Sequence, residues 1–487
     1  MVGAFNEEEV TVSLLSNKMT CYSSRDRRFS KQVHDNVHGN IYLDPLALKF
    51  VDTEQFQRQV LRDLKQLGLA YLVYPGAVHS RFEHSLGVYW LAGDAVEKLQ
   101  DNQGLELGID NFDIQTVKLS GLLHDVGHGP YSHVFEREFL PRVIDNCTWS
   151  HEEMSVKMVD HIVDEHSIDI NPASLKRVKE MILASSSSVQ KSAQEKQFLY
   201  DIVANGRTGI DVDKFDYIVR DTRACGLGCS FQFERLMETM RVIGDEICYR
   251  AKDYLTINKL FTTRADLHRT VYTHAKVKAV ELMFVDAMLE AHSYCNILNR
   301  LDNPAEYWKL DDTILKTIET ATAQELQKAR ELVLRIRRRD LYQFCNEYTV
   351  PKDTMDHFKQ VTAQDIVCSQ RSGGPELKEE DVAVCNVKID LSRGKENPLE
   401  SIKFFKVHKS SLLLMFLDYE SNEKFPIQEN RISHLLPGYC QDMIVRVYSK
   451  KPELVEAISV AFENFQRKTY HNIPQVHETP EKKKCRK

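Results

Sequence analysis

The feature that most constrains this chain is an apolar helical pattern that ends in the stretch LHDVGHGP, residues 123–130. Upstream of it, apolar residues recur at the spacing of three and four that is typical of an amphipathic helix. The Gly-Pro pair predicts that the helix stops there. Six of the 18 histidines lie between His79 and His151, about twice the density of an even scatter. The segment therefore predicts a helical core with a histidine-rich site at a helix end.

Composition limits the class of protein. The 487 residues are 42% hydrophobic and 28% charged, as in ordinary globular chains, which excludes a mainly disordered or collagen-like protein. The net charge of −7 provides no global positive field for nucleic acid, although a local basic patch remains open. No run reaches the roughly 18 apolar residues of a spanning helix, so we predict no membrane partner. The acidic N-terminus does not resemble a signal peptide, and 11 scattered cysteines favour free thiols in a reducing compartment.

Periodicity divides the chain into two textures. Helical patterns dominate up to about residue 350, and a long helix is predicted from about Thr263 to Ala291 because no Gly or Pro interrupts it. Strand-like runs at 382–390, 402–407 and 411–417 then precede a final amphipathic helix. The predicted fold class is mainly α, a helical core with a smaller C-terminal α+β lobe. The predicted domains are a flexible segment 1–30, a helical domain 31–350, an α+β lobe 351–466 and a basic flexible tail 467–487.

His124 and Asp125 are the sharpest candidate site. At consecutive positions they can converge on one ion, and His124 and His128 are predicted to share a helix face. Imidazole with carboxylate suits a divalent transition metal, and such a metal creates a nucleophilic water at neutral pH. The alternative is a capped or exposed helix end. His84 and Asp213 favour the metal, because two histidines and two aspartates on helices would leave coordination positions open.

The order H…HD…D resembles the HD phosphohydrolase superfamily. More narrowly, the blocks RFEHSLGV at 81–88, HDVGHGPYSH at 124–133 and DVDKFDY at 211–217 resemble the eukaryotic HD-domain deoxynucleoside triphosphate (dNTP) triphosphohydrolases that carry a sterile alpha motif. The resemblance covers roughly residues 31–451. We expect no sterile alpha motif before Lys31, as in the plant-like branch of that family.

The resemblance implies roles for the motif residues. It implies a metal held by His84, His124, Asp125 and Asp213. The implied reaction releases a deoxynucleoside and inorganic triphosphate, with His133 protonating the leaving 5′ oxygen. The family commonly has Asp where this chain has Glu136, which keeps a carboxylate on a longer arm. The implied catalytic residues are His128, His133, Glu136 and His151, although a hydrogen-bonded structural histidine is the alternative for each imidazole.

Two helical stripes suit a triphosphate site. Arg264, His268 and Tyr272 are spaced four apart, as are Asp213, Tyr217 and Asp221; a solvated face is the alternative. By resemblance, the phosphate contacts are Arg81, Lys214, Arg264 and His268. By resemblance too, Gln66 and Asp221 hold the 3′ hydroxyl, while Leu67 and Tyr272 crowd the 2′ position. Tyr217 is also expected to line the substrate site. The family's Gln after this Tyr is Thr273 here, which leaves base contacts open.

The family is activated by nucleotides at separate sites. The residues that match a guanine-nucleotide (GTP or dGTP) site are Lys31, Asp52, Gln57 and Arg62. Those that match a neighbouring dNTP activator site are Arg241, Arg250, Lys252 and Arg339, for which ordinary surface charge is the alternative. The segment at Gln59–Val60 is two residues longer than in relatives, a helical rotation of about 200° that argues against convergence of Gln57 and Arg62. A family lysine is also Gln343 here. We therefore predict weakened or altered allosteric control.

The implied cofactors are a divalent transition metal (Fe, Mn, Zn or Ni) and Mg²⁺ on the nucleotide phosphates. The implied partners are dNTP substrates, GTP and dNTP activators, and further copies of the chain in a dimer or tetramer. We expect a nuclear location, with a cytoplasmic pool as an addition. Two alternatives stay open. One is another HD phosphohydrolase, either a nucleotidase or a phosphodiesterase. The other is a nonenzymatic regulator that binds single-stranded nucleic acid through Arg335, Arg337, Arg338, Arg339 and the basic tail.

Overall fold

The computed structural model describes residues 30–59, 62–184, 196–371, 374–392, 394–409, 418–420, 422–427 and 439–470. Within them the fold is mainly α with few, short strands, which confirms the predicted fold class. Nowhere in this part of the chain does a helix combine the length and the apolarity that crossing a membrane requires. The N-terminal residues 1–29, the segment 185–195, the predicted strand 411–417 and the tail beyond residue 470 lie outside the described residues.

Helices form most of the described chain. The longest is α2, which begins with a capping box between Ser80 and Glu83. The α-helices are α1 (Pro45–Val51), α2 (Arg81–Leu107), α3 (Asn111–Leu123), α4 (Leu140–Val143), α5 (His151–Glu165), α6 (Pro172–Ile182), α7 (Gln197–Val203), α8 (Val212–Ala224), α9 (Glu234–Thr239), α10 (Tyr254–Leu267), α11 (Ala275–Ala291), α12 (Ile297–Leu301), α13 (Pro304–Tyr307), α14 (Ile314–Thr320), α15 (Gln327–Arg338), α16 (Ala363–Val367), α17 (Pro398–Ser401) and α18 (Val455–Tyr470). Short 3₁₀ turns lie at Gly68–Leu72, Ala251–Asp253, Gln324–Leu326, Lys352–His357, Glu379–Asp381 and Pro452–Leu454.

π-Helical turns occur in the described residues at Gln55–Gln59, Phe135–Phe139 and His268–Tyr272. A π turn closes its backbone bond over five residues instead of four, and such turns are frequent at functional sites. Each of these turns carries predicted site residues: Gln57 in the first, Glu136 in the second, and both His268 and Tyr272 in the third.

The predicted long helix from Thr263 to Ala291 is wrong, because the chain breaks at Thr273 and His274. His274 has an extended backbone, and its Nδ1 accepts from Lys276 N at 3.2 Å, so it caps the start of α11. The Thr273 hydroxyl donates to His268 O at 2.7 Å. Polar side chains that satisfy backbone groups can therefore end a helix without Gly or Pro.

The strands form four small sheets. β1 and β2 are an antiparallel hairpin, β10-β7-β4-β3 is a four-stranded sheet, β5-β11-β6 is an antiparallel three-stranded sheet, and β8 pairs with β9. The strands are β1 (Lys31–Asp35), β2 (Gly39–Leu43), β3 (Arg241–Val242), β4 (Ile247–Arg250), β5 (Gln343–Thr349), β6 (Val382–Asp390), β7 (Lys403–Phe405), β8 (Val407–Lys409), β9 (Asp418–Glu420), β10 (Phe425–Pro426) and β11 (Gln441–Ser449).

Helix α2 lies between two large apolar clusters. On one side of α2, Leu86 and Tyr89 belong to the same apolar cluster as Leu122 of α3. On the other side, Val88 and Leu91 belong to a cluster with apolar residues of α8 and α10. A helix buried on both sides loses its freedom to shift, since protein interiors are close-packed. The site residues at the start of α2 therefore stand on a rigid element.

The C-terminal lobe is the sheet β5-β11-β6 covered by α18. The apolar stripe predicted for the last helix is confirmed, because Ile458, Ala461 and Phe462 are buried against Val445 and Val447 of β11. The strand predicted at 382–390 is confirmed as β6, and the run 402–407 contains β7.

The boundary at residue 350 stays a prediction, and two pairings cross it. β5, which precedes that residue, pairs antiparallel with β11. β4 pairs in parallel with β7, so residues around Tyr249 and Phe404 share one sheet. The helical core and the C-terminal lobe are thus joined by hydrogen-bonded strands as well as by side-chain packing.

Candidate active site

Three helices bring the predicted metal ligands together. His84 lies in the first turn of α2, Asp213 lies in the first turn of α8, and His124 and Asp125 follow the end of α3. His84 Nε2 is 3.1 Å from Asp213 Oδ1 and 3.4 Å from Asp125 Oδ2. His124 Nε2 is 3.6 Å from Asp213 Oδ1 and 3.5 Å from Asp125 Oδ1. Four side chains from distant parts of the chain thus surround one point.

The donor atoms suit a metal ion. His84 Nδ1 is held by Asp216 Oδ2 at 2.7 Å, and His124 Nδ1 donates to Gly121 O at 2.9 Å. Each Nε2 is buried and makes no aligned hydrogen bond within the described residues. Buried polar atoms without a partner are rare in native proteins, and imidazoles whose second nitrogen is held in this way are typical of metal ligands. The arrangement therefore fits a divalent cation.

Electrostatics also favour a cation at this point. Burial alone would lower the pKa of His84, but its contacts with Asp213 and Asp216 and the charge of Asp125 raise that pKa to about 10. Burial likewise opposes ionisation of Asp125, yet the Arg81 guanidinium and the neighbouring histidines hold its pKa well below the usual range. The carboxylates thus stay charged, and they attract positive charge to the cluster.

Asp216 supports the cluster and was given no role in the sequence analysis. It is fully buried and accepts from His84 Nδ1, from His38 Nε2 at 2.6 Å and from Arg220 Nε at 2.9 Å. Arg220 in turn donates to Asp35 of β1 at 2.8 Å. The signal in the sequence was its spacing, because Asp216 follows Asp213 by three residues and so lies on the same face of α8.

One prediction about this segment is wrong. His124 and His128 do not share a helix face, since α3 ends at Leu123 and turns follow. Ser155 of α5 explains the end: its hydroxyl accepts from Gly127 N at 2.8 Å and donates to His124 O at 2.7 Å. These bonds replace the helical ones. His128 still reaches the cluster, with Nε2 at 3.3 Å from Asp125 Oδ1.

The three predicted catalytic histidines, His128, His133 and His151, form a second group beside the metal cluster. The rings of His128 and His151 stack with centroids 3.8 Å apart, and the His133 ring lies edge-on to both. Glu136 Oε2 contacts His151 Nδ1 at 2.9 Å and His133 Nδ1 at 3.5 Å. The longer arm of Glu136 thus reaches both imidazoles.

The pKa values of His133, His128 and Glu136 are all lowered, although by different causes. Desolvation, aided by the charge of Arg137, lowers the pKa of His133 to about 4, although 48% of its side chain is still open to the cleft. Desolvation and the Arg81 charge hold the pKa of His128 well below its usual value. Burial opposes ionisation of Glu136, but its hydrogen bonds from His133 and His151 lower its pKa. The imidazoles of His128 and His133 are thus neutral, and they lie near the ionised carboxylate of Glu136.

The predicted substrate face is assembled from α8, α10 and the π turn. Asp221 accepts from Tyr272 Oη at 2.6 Å and contacts His79 Nε2 at 2.7 Å. The His268 ring lies edge-on to Tyr272 at 4.9 Å. Arg264 donates to Asp390 O at 2.6 Å. Burial would lower the pKa of the Arg264 guanidinium, but the nearby Tyr217 and Asp390 raise it. These contacts place the two stripes opposite each other.

The other predicted substrate residues border the same cleft. Arg81 donates to Asp125 and to Ser132, and Lys214 Nζ donates to Asp211 at 2.9 Å. Gln66 Oε1 is buried without a hydrogen-bond partner in the described part of the chain. Leu67 lies at the start of the 3₁₀ turn and packs against the apolar cluster that includes Tyr272. The predicted substrate residues thus include two cations that are paired with carboxylates and a buried amide oxygen without a partner in the described residues.

The structure corrects the expectation about the first activator site. Arg62 Nε donates to Gln57 Oε1 at 3.0 Å, so these two residues do converge. The π turn Gln55–Gln59 takes up extra chain length within one turn, which offsets part of the insertion. Lys31 Nζ lies 3.6 Å from Asp52 Oδ1, with both side chains more than half exposed. Val60 itself lies outside the described residues.

The second set of predicted activator residues lies on several elements. Arg241 is on β3, Arg250 ends the adjacent strand β4, and Lys252 follows it. Arg339 is separate: it caps α15 in a left-handed conformation and donates to Leu72 O at 2.7 Å. Arg241, Arg250 and Lys252 therefore lie on or beside the β3–β4 pair, while Arg339 comes from the end of α15.

The arginine cluster that supported a nucleic-acid-binding alternative is partly neutralised. Arg335 Nε contacts Asp340 at 2.8 Å, and Arg337 contacts Glu319 at 3.3 Å. Internal ion pairs reduce the positive field that would attract a phosphate backbone. The geometry gives this alternative no added support.

Comparison with known proteins agrees with the site. The HD domain family model matches residues 81–217, and the HD associated region model matches residues 231–368. The deoxynucleoside triphosphate triphosphohydrolase SAMHD1 homolog of Dictyostelium discoideum is 37% identical over 455 residues, which cover 93% of this chain and 83% of that protein. The proteins named deoxynucleoside triphosphate triphosphohydrolase SAMHD1 in Gallus gallus and Homo sapiens are each 35% identical, over 91% and 86% of this chain and 76% and 70% of their own lengths. The chain belongs to the family of HD-domain deoxynucleoside triphosphate triphosphohydrolases.

Proposed function

We propose that this protein is an enzyme that hydrolyses dNTPs to deoxynucleosides and inorganic triphosphate with the help of a divalent metal. The observation that carries the proposal is the convergence of three groups in one cleft: the four-residue metal cluster, the three histidines with Glu136, and the face of Arg264, His268 and Tyr272. The names of the relatives support the choice of dNTPs as substrates.

The metal would be held by His84, His124, Asp125 and Asp213. When bound, such an ion supplies activation of water and neutralisation of phosphate charge. Histidine and carboxylate ligands suit Fe, Mn, Zn or Ni, and Mg²⁺ is proposed to accompany the nucleotide phosphates. The two buried Nε2 atoms without aligned partners support this assignment.

His133 is proposed as the proton donor to the leaving 5′ oxygen. Glu136 holds its Nδ1, which leaves Nε2 for the cleft. The pKa of His133, about 4, makes its imidazole neutral at pH 7. A phosphate anion beside it would raise that pKa, because a nearby negative charge favours the protonated imidazole. Substrate binding would thus load the proton that the reaction then consumes.

The phosphates would be bound by cations on several sides of the cleft. Arg81 is paired with Asp125, and Lys214 is paired with Asp211. To bind a phosphate oxygen, each cation would either contact it in addition to its carboxylate or leave the carboxylate. Arginine suits this role because its guanidinium grips two oxygens at once. His128 and His151, stacked beside these cations, are proposed to contact the phosphate that is attacked.

The sugar would lie against Asp221, Gln66, Leu67 and Tyr272. Asp221 offers a carboxylate to the 3′ hydroxyl, and the Tyr272 ring, held by that same carboxylate, narrows the space for a 2′ hydroxyl. A site shaped to reject one hydroxyl discriminates by steric exclusion and by lost hydrogen bonds. We therefore propose dNTPs over ribonucleotides as substrates.

Activation by nucleotides is a separate part of the proposal. GTP or dGTP would bind near Lys31, Asp52, Gln57 and Arg62, and a dNTP near Arg241, Arg250, Lys252 and Arg339, with assembly into a tetramer. Convergence of Gln57 and Arg62 supports a formed first site. The replacement at Gln343 still favours altered control. A nuclear location is proposed on the basic residues Lys482–Lys484, Arg486 and Lys487.

Product analysis tests the proposal. Purified protein is incubated with dATP and GTP, with and without a chelator, and the products are separated by anion-exchange chromatography. We expect deoxyadenosine and inorganic triphosphate, loss of both with the chelator, and little turnover when ATP replaces dATP. Release of a monophosphate would favour the nucleotidase or phosphodiesterase alternative. Salt-sensitive binding to a single-stranded oligonucleotide without any turnover would favour the regulator.

A further inference from the structure

We infer that the buried carboxylate of Asp312 is a positioning residue that holds two segments of the active site in register. One segment is Lys65–Leu67, which leads into the proposed sugar contacts, and the other is the turn Tyr131–His133, which presents the proposed proton donor. The inference rests on the proposed function for its consequence, but its geometry stands apart from it.

The carboxylate joins the two segments directly. Asp312 Oδ2 accepts from Lys65 N at 2.9 Å, and Oδ1 accepts from Tyr131 N at 2.6 Å. The Tyr131 hydroxyl closes the contact by donating to Asp312 O at 2.8 Å. Asp312 is 7% exposed and comes from a loop about 180 residues further along the chain. Lys65 N and Tyr131 N would be orphaned without it, which is costly for buried backbone groups.

The turn that Asp312 holds is strained. Tyr131 and Ser132 are consecutive residues with φ of +56° and +65°, in the left-handed region that side chains other than glycine avoid. Such a residue is unfavourable and persists only where its surroundings fix it. Two in a row immediately before His133 need an anchor. The Asp312 carboxylate, whose Oδ1 accepts from Tyr131 N, is such an anchor.

The two segments also press against each other. Gly68 has φ of +50°, and a Cβ there would lie 2.8 Å from Tyr131 O. Ser132 Oγ is 3.4 Å from Gln66 O and also contacts Arg81. A shift of Tyr131 would therefore move Gln66, Ser132 and His133 together. Misplacement of a reacting group by about 1 Å is enough to cost roughly 100-fold in rate.

The pKa of Asp312 shows that burial of its carboxylate is unfavourable and is partly offset by its hydrogen bonds. Burial raises its pKa to about 7, while the bonds from Lys65 N and Tyr131 N act in the opposite direction. The neighbouring Asp311 offers a natural control. It is equally buried but its Oδ1 accepts from Thr313 N at 2.8 Å, within its own loop. The Asp311 carboxylate thus bonds within its own loop, whereas the Asp312 carboxylate bonds the two segments of the site.

The experiment compares Asp312→Asn with Asp311→Asn in the full chain. An amide offers one oxygen where two N–H groups point, so Asp312→Asn loses one bond and sets an NH₂ against the other. We expect kcat for triphosphate release to fall by about 30- to 100-fold, with KM within about threefold and metal content unchanged. Asp311→Asn should stay within about threefold in kcat. Asp312→Glu, which keeps both oxygens, should recover part of the loss.

A double variant separates positioning from general destabilisation. In a His133→Ala background, Asp312→Asn should cost less than about threefold more, because residues that act through one group are not additive. Losses that multiply in full, or a kcat for Asp312→Asn within threefold of wild type, would overturn the inference. If Asp312→Asn does not fold, Tyr131→Phe removes only the hydroxyl bond to Asp312 O, and the same comparison with His133→Ala applies to it.

Amide hydrogen exchange keeps this inference distinct from the proposed function. Exchange at Lys65 N and Tyr131 N should accelerate at least about tenfold in Asp312→Asn and remain unchanged in Asp311→Asn. If wild-type protein releases no triphosphate, the proposed function fails, while the exchange result still decides whether Asp312 holds the two segments. Unchanged exchange in Asp312→Asn would overturn the anchor itself.

Discussion

The metal cluster and the surface proposed to bind the first activator are built in opposite ways. His84 and Asp125 are nearly inaccessible, and each has further buried partners behind it, such as Asp216 and Arg81. On the proposed activator surface, Lys31 and Asp52 are more than half exposed, and they contact each other. Exposed ion pairs contribute little and move easily, whereas buried networks hold one geometry.

The difference teaches what each region needs from outside. The metal cluster is preorganised by the fold and requires only its ion. On the proposed activator surface, Lys31 is paired with Asp52 and Arg62 donates to Gln57, so a ligand would have to replace those contacts. A site that is completed by a ligand is suited to regulation, because ligand binding then changes its population of conformations.

The largest expected effect is at the metal cluster. His124→Ala removes an imidazole whose Nδ1 is already fixed by Gly121 O, so the fold should persist while triphosphate release falls by at least about 10³-fold. Turnover and bound metal, measured by elemental analysis, should be lost together. His161→Ala, on α5 and outside the cluster, is the control. Full metal content with full activity in His124→Ala would remove the basis of the comparison.

A smaller effect is expected one layer out. Asp216→Asn weakens the acceptor that holds His84 Nδ1, and such outer partners contribute about 10- to 100-fold to metal affinity or activity. Metal titration of the variant should show this loss, with activity recovered at high metal concentration. The exposed Asp169→Asn is a control that should bind metal as wild type does. An unchanged metal affinity in Asp216→Asn would mean that the ligands hold their geometry without support.

The third prediction concerns pH and the outermost support. Burial opposes ionisation of Asp35, but its hydrogen bond and charge contact with Arg220 lower its pKa below 3.8. A lowered carboxyl pKa stabilises the folded state above about pH 4, and this contribution is lost as pH falls through the folded value. Asp35→Asn should therefore lose about 1.5 kcal/mol at pH 7. Urea unfolding at several pH values measures it, and a difference that does not shrink in acid would contradict it.

The smallest expected effect is at the activator surface. Arg62→Ala removes the partner of Gln57 and should reduce stimulation by GTP severalfold, which corresponds to about 1 kcal/mol of coupling. Turnover of dATP with increasing GTP measures the effect, while the metal content should equal that of wild type. Lys49→Ala, an exposed cation on α1, is the control. Identical GTP curves for Arg62→Ala and wild type would show that this surface does not bind the activator.

Sequence patterns predicted the helical class, the strand β6 and the meeting of His84, His124, Asp125 and Asp213, because each leaves a local signature. That these four side chains hold a metal stays a prediction. They failed where a contact from elsewhere decided the outcome. The helix expected across Thr273 breaks, with Arg446 of β11 bonded to Thr273 O and Tyr448 Oη donating to Ala275 O at 3.0 Å. The end of α3 is likewise shaped by Ser155, which no local pattern identifies as a partner.

What the sequence by itself determined is the inventory of chemical groups: histidines and aspartates at motif spacing, glycines where elements must approach, and apolar stripes that assign faces. Gly87 is an example, since a Cβ there would lie 1.9 Å from Asp216 Oδ1, and its absence lets α8 pack close to α2. Tertiary structure alone decided which groups meet. Asp216 behind His84, and Asp312 between Lys65 and Tyr131, are separated in the chain by more than 100 residues, and only close packing of the interior sets such distances.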